Sequence, residues 1–125
     1  MPLTRHSVSQ TNVNPQPDEL HDALIVSASA GPRREVSFEL TIFVKGEGSK
    51  LQPRAAKLRF GAIENFDAVG EFVRMLPVPP SDNFYVDEID SLKKGPKGWT
   101  LVLDDAGPCE IRSPKTPDLV WRDAV

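Results

Sequence analysis

Residues 36–44, with the sequence VSFELTIFV, carry an apolar side chain at every second position, from Val36 to Val44. A period of two places these alternate side chains on one face of a β-strand. Four of the five are β-branched or aromatic, which suits a pleated and half-buried surface. The stretch therefore predicts the central strand of a β-sheet core.

Short apolar segments between glycine and proline turns predict six further strands, at 23–29, 55–60, 84–91, 99–103, 109–112 and 119–121. The first of them should pair with 35–44 as an antiparallel hairpin. Seven short strands joined by such turns predict a mainly β protein, either an antiparallel sandwich or an open barrel. We expect these side chains to face its core: Val36, Phe38, Leu40, Ile42, Leu58, Phe60, Leu101 and Leu103.

At most one short helix is expected, at residues 67–76. Apolar residues recur there with helical spacing, at positions 69, 72, 73 and 76. Pro77 would end such a helix, whereas Gly70 disfavours it and leaves an irregular crossing segment as the alternative.

The 125 residues suit a single folded domain. Residues 1–19 are polar and contain three prolines, which predicts a flexible or loosely docked N-terminal arm. Residues 20–125 then form one all-β domain.

The charge of the chain restricts its partners. The net charge is −3, and residues 61–125 carry −5, from twelve acidic and seven basic side chains. A sequence pI of about 5.3 does not fit a nucleic-acid-binding protein. No apolar run approaches the length that crosses a membrane. Cys109 is the only cysteine, so no intramolecular disulfide can form, and we expect a cytoplasmic protein.

His21 and Asp22 are the first candidates for chemistry, as a general base and its orienting carboxylate. Adjacent residues on a strand point to opposite faces, so their side chains should not meet. The other interpretation is that they tie down the first strand through hydrogen bonds to the backbone. The sequence has no nucleophile motif and no zinc-ligand spacing, so we predict no catalytic residue, cofactor or metal.

Other residues are candidates for binding a partner. Phe43 falls on the polar face of the central strand, where an exposed aromatic ring could anchor a partner. The acidic run at 87–90 could attract a basic protein, or could simply be solvated. The predicted binding residues are His21, Asp22, Phe43, Asp87, Glu88 and Trp121. The loop at 93–98, KKGPKG, resembles a phosphate loop in composition only and is interpreted as a solvated hairpin turn.

Three segments carry a family resemblance: LHDA at 20–23, LRFGAIENF at 58–66, and WTLVLDD at 99–105, which leads to CEI at 109–111. Together they resemble a group of small bacterial all-β domains that open on an L-H-D-[AS] element. Some members are labelled immunity proteins of polymorphic toxin systems. The resemblance implies a protein without enzymatic activity that binds another protein, and it supplies no catalytic residues.

The sequence thus favours a protein-binding module, such as an immunity-type inhibitor, whose partner is another protein with a basic surface. The alternative is a small-ligand carrier or a metal-assisted enzyme that uses His21 and Asp22, or the acidic run at 87–90.

Overall fold

The computed structural model describes residues 13–46, 48, 50–77 and 85–122. A short 3₁₀ turn at Pro17–Glu19 precedes the first strand. One helix, α1 (Phe66–Met75), lies between the third and fourth strands. The strands are β1 (Leu24–Gly31), β2 (Glu35–Lys45), β3 (Leu51–Phe60), β4 (Asp87–Gly95), β5 (Gly98–Leu103), β6 (Gly107–Arg112) and β7 (Asp118–Trp121).

The seven strands form one sheet in the order β6-β5-β4-β1-β2-β3-β7, and every neighbouring pair is antiparallel. The predicted hairpin is β1 and β2, which pair from Leu24 with Thr41 to Gly31 with Glu35. The predicted mainly β, antiparallel fold with seven strands and one short helix is confirmed.

The core lies on one face of this sheet, as the alternation in β2 predicts. Val36, Phe38, Leu40 and Ile42 are buried, and their partners across β3 include the buried Phe60, Leu58 and Ala56. The rings of Phe38 and Phe60 meet edge to face, with centroids 6.4 Å apart. All eight side chains predicted to face the core are buried.

The helix covers this inner face, with Val69 and Val73 buried. It contacts β1, β2 and β6, although two strands separate β1 from β6 in the sheet. The helix therefore packs across the inner face of the sheet, from β2 to β6. The helical interpretation of residues 67–76 is therefore confirmed. No helix in the described parts of the chain is long and apolar enough to span a membrane.

Three strand boundaries differ from the predictions by three or more residues: the start of β3, the start of β4, and the end of β4, which reaches Gly95 rather than residue 91. β3 begins at Leu51 rather than Ala55, and Pro53 lies inside it. Proline is tolerated there because β7 pairs only with residues 56–59, which leaves this part of β3 at the sheet edge. β4 begins at Asp87, and the predicted start of this strand at residue 84 lies outside the described residues.

The chain contacts the sheet before Leu20. The indole N–H of Trp121 donates to the carbonyl of Val13 at 2.7 Å, and Pro15 is buried. Residues 1–12 of the predicted arm lie outside the described residues.

Candidate functional site

A surface depression of about 410 Å³ lies where the start of β1 meets the adjoining ends of β2, β3 and β4. We call it the apolar–acidic depression, and its lining includes His21, Asp22, Leu24, Phe43, Leu51 and Glu88. Four of the six predicted binding residues thus come together in one place. Asp87 and Trp121 do not belong to it.

The turn before β1 presents His21 and Asp22 to solvent. Leu20 is fully buried and anchors the turn, which closes through a hydrogen bond from the Ala23 N–H to the Leu20 carbonyl at 2.9 Å. The N–H of Asp22 donates to the carbonyl of Ile89 at 2.9 Å. Asp22 has a φ of 71°, in the left-handed region that aspartate adopts more readily than most residues. The two side chains are consequently 66% and 67% exposed.

The imidazole of His21 contacts two partners. Its Nδ1 lies 2.8 Å from the Asp90 carbonyl oxygen, and its Nε2 lies 3.4 Å from Oδ1 of Asp22. The prediction that His21 and Asp22 would not meet is wrong, because they occupy a turn and not a strand. The hydrogen bond to the Asp90 carbonyl, and then the charge of Asp22, raise the pKa of His21 above its ordinary value. The site therefore favours the imidazolium form.

Glu88 projects from β4 on the same side, opposite Leu24 of β1. A hydrogen bond with the Asp22 side chain, followed by partial desolvation and the nearby charge of Asp104, raises the pKa of Glu88. The charge of His21 acts in the opposite direction. The depression thus contains a carboxyl pair beside a histidine whose pKa is raised.

The other half of the depression is apolar. Phe43 and Leu51 alternate with the buried residues of β2 and β3 and lie on the outer face of the sheet. The exposed fraction is 44% for Phe43 and 64% for Leu51. Leu24 of β1, half-buried, adds to the same lining. Large apolar side chains therefore lie directly beside carboxylates on an accessible surface.

Asp87 has a structural position and is not part of an exposed acidic surface, which corrects the prediction. Its side chain is only 2% exposed. One carboxylate oxygen accepts the N–H groups of Glu88 and Asp105 at 2.8 and 3.0 Å, and the other accepts the N–H of Ala106 at 2.9 Å. Asp87 therefore ties the β5–β6 turn to β4. Asp82, a further acidic residue near this run, lies outside the described residues.

Trp121 is also engaged within the molecule. The guanidinium of Arg54 lies over its ring, 4.1 Å from the centroid, and its indole N–H is bonded to Val13. The side chain is half-buried against the core. It holds the N-terminal segment rather than presenting a free aromatic ring beside Phe43.

The arrangement gives little support to catalysis. Each ring nitrogen of His21 already faces a partner, so neither is placed to take a proton from a substrate. Cys109 is buried, and burial raises the pKa of its thiol to about 11, so the reactive thiolate is scarce at neutral pH. In the described part of the chain, no three His, Cys, Asp or Glu side chains are arranged to hold a metal ion.

No protein-family model, no curated protein and no solved structure matches this chain.

Sequence reasoning missed Leu51, the most exposed apolar side chain of the depression. It was missed because a proline at position 53 argues against a strand there, so the predicted strand begins only at residue 55. A signal was present: continuing the β2–β3 hairpin register across residues 46–50 places Leu51 opposite Lys45.

Proposed function

We propose that this chain is a protein-binding module without enzymatic activity, and that the apolar–acidic depression is its binding surface. The observation that carries the proposal is the exposure of Phe43 and Leu51 immediately beside the carboxyl groups of Asp22 and Glu88. Clustered large apolar side chains with a polar border are typical of interaction sites, whereas scattered single ones are normal on any surface.

The chemistry of the depression fits a partner that offers basic and apolar side chains together. An aromatic or aliphatic side chain of the partner would pack on Phe43 and Leu51. A lysine or arginine would then lie near Asp22 and Glu88, where its charge would favour the ionised form of Glu88. The acidic surface would also speed the encounter by long-range attraction.

An immunity-type inhibitor, the class that the sequence resemblance implies, is the specific form of this proposal. An acidic inhibitor of a basic toxin domain would use such a combination of negative charge and an apolar anchor. If a gene beside that of this protein encodes a toxin, its product is the first partner to test.

A photo-crosslinking residue in place of Phe43 would test the proposal. Met75 is the matched control position, because it is even more exposed, at 77%, and does not line the depression. In host cells, position 43 should give one discrete crosslinked protein, and position 75 should not. Leu51→Asp should abolish that product. Equal crosslinking at both positions, or none at position 43, would contradict the proposal.

Association kinetics with the captured protein would test the role of charge. Glu88→Lys should slow association, and added salt should slow the wild type more than the variant, because both changes act on the same attraction. If neither the substitution nor added salt changes the association rate, the acidic groups serve only solubility.

A further inference from the structure

A second cleft, of about 340 Å³, lies at the opposite end of β4 from the apolar–acidic depression. It opens between the β4–β5 hairpin and the loop that connects β6 to β7. We call it the basic cleft, and its lining includes Lys94, Lys97, Trp99, Ser113, Lys115 and Thr116.

The sheet itself places Trp99 in this cleft. Trp99 pairs with Lys94 on one side and with Ile111 on the other. Ile111 is fully buried, so Trp99 and Lys94 project from the inner face of the sheet. The indole is half-buried, packs on the core and also lines the cleft. The cleft thus combines an apolar ring with charged side chains at one end of the sheet, a combination typical of small-ligand sites.

Ser113 fixes the β6–β7 loop above the basic cleft. Its hydroxyl donates to the carbonyl of Gly61 at 2.6 Å and accepts the N–H of Lys115 at 3.2 Å. On the other side of the cleft, the start of β5 lies close to β6, since a Cβ at Gly98 would collide with the carbonyl oxygen of Ile111. Lys115 is thereby brought to the same cleft as lysines that lie about twenty residues earlier in the sequence.

The charges of the lining do not cancel. Lys94, Lys97 and Lys115 face a single carboxylate, that of Glu64, which leaves a net charge of +2. Among the described residues, none of the three lysines forms an ion pair. By contrast, Arg59 and Arg112 on the flanking strands are each paired with a carboxylate. A locally positive cleft on a protein of net charge −3 attracts anions.

We propose that the basic cleft binds a small organic anion that carries at least two negative charges and a flat ring. The ring would stack on the accessible side of Trp99, and the charged groups would lie among the three ammonium groups. The volume falls within the range of ordinary small-ligand sites. The proposal is independent of protein binding at the apolar–acidic depression.

Titration with ADP, followed by tryptophan fluorescence in a Trp121→Phe background, tests this proposal. Trp99 is then the only tryptophan, and a stacked ring should quench it saturably. Pyrophosphate should displace ADP, and adenosine alone should bind much more weakly. The combined substitutions Lys94→Gln, Lys97→Gln and Lys115→Gln should weaken ADP binding about tenfold, the size expected when three partly exposed charge interactions are lost.

Lys93→Gln is the matched control. Lys93 belongs to the same hairpin and carries the same charge, but it pairs with Thr100 and does not line the cleft. It should bind ADP nearly as the parent does. The proposal is overturned if ADP gives no saturable quenching, if adenosine binds as tightly as ADP, or if the triple variant matches Lys93→Gln. A urea melt of each variant establishes that it is folded.

Discussion

Replacement of Asp87 by asparagine should destabilise the fold, although the side chain lies within the most acidic run of the sequence. Asp87 is only 2% exposed. It accepts three backbone N–H groups, from Glu88, Asp105 and Ala106, at 2.8 to 3.0 Å. The last two belong to the turn that joins β5 to β6, so this one side chain fixes the turn against β4.

The magnitude follows from that geometry. A hydrogen bond to a charged acceptor contributes about 1.5–3 kcal/mol. Asparagine keeps one acceptor oxygen, loses the charge, and turns an amide NH₂ group towards a backbone N–H. The turn is exposed, so water can satisfy part of what is lost, and we expect a cost of about 2–4 kcal/mol. With a urea dependence of about 1–3 kcal/mol per molar, the unfolding midpoint should fall by about 1–2 M.

Asp105→Asn provides the control for this measurement. Asp105 lies in the same turn and is exposed, so the same chemical change should alter stability by less than about 0.5 kcal/mol. If Asp87→Asn and Asp105→Asn unfold at the same urea concentration, the buried carboxylate does not hold the turn and the reasoning fails.

Three further predictions concern the core, the pH dependence and the sheet edges. Phe38→Ala should lower the free energy of unfolding by about 3–5 kcal/mol because it removes a fully buried ring; a urea midpoint near that of the wild type would contradict this. The folded-state pKa of His21 is raised, so its stabilising effect is present below the ordinary value of 6.5 and is lost as pH rises through the raised pKa. As pH rises from 6.5 through the raised pKa, the urea midpoint of the wild type should therefore fall more than that of His21→Gln. Parallel pH profiles of the two proteins would refute this stabilising effect. Pro53→Val and Pro108→Val each restore an N–H donor on an edge strand and should increase self-association in size-exclusion chromatography, and unchanged elution would count against an edge-blocking role.

The central strand could be predicted because its signal is local. The alternation in β2 reflects burial of one face, and the partner residues of β3 follow from an antiparallel hairpin register. The helix at Phe66–Met75 was predictable for the same reason, since its apolar spacing and Pro77 are both visible in the sequence. Local periodicity therefore determined most of the fold class.

The site was less predictable because its determinants are not local. Asp87 and Glu88 are adjacent acidic residues, yet one is buried beneath a turn eighteen residues away and the other is partly accessible. Strand geometry predicts that the side chains of His21 and Asp22 stay apart, but the left-handed φ of Asp22 places both residues in a turn and allows contact. Neither outcome can be deduced before the topology is known.

The edges of the sheet constrain how any partner can bind. Pro53 lies on the part of β3 that β7 leaves uncovered, and Pro108 lies on the edge strand β6; neither can donate a backbone hydrogen bond to an added strand. The side chain of Asn65 bonds the Glu110 carbonyl at 2.8 Å and the Arg112 N–H at 2.9 Å, which occupies backbone groups of β6 that would otherwise receive a strand. Since strand addition needs a run of free donors and acceptors, β6 and this part of β3 are poor docking sites for an added strand. Recognition at these two edges would have to rely on side chains, and accessible apolar and charged side chains converge instead on the two surfaces at the ends of β4.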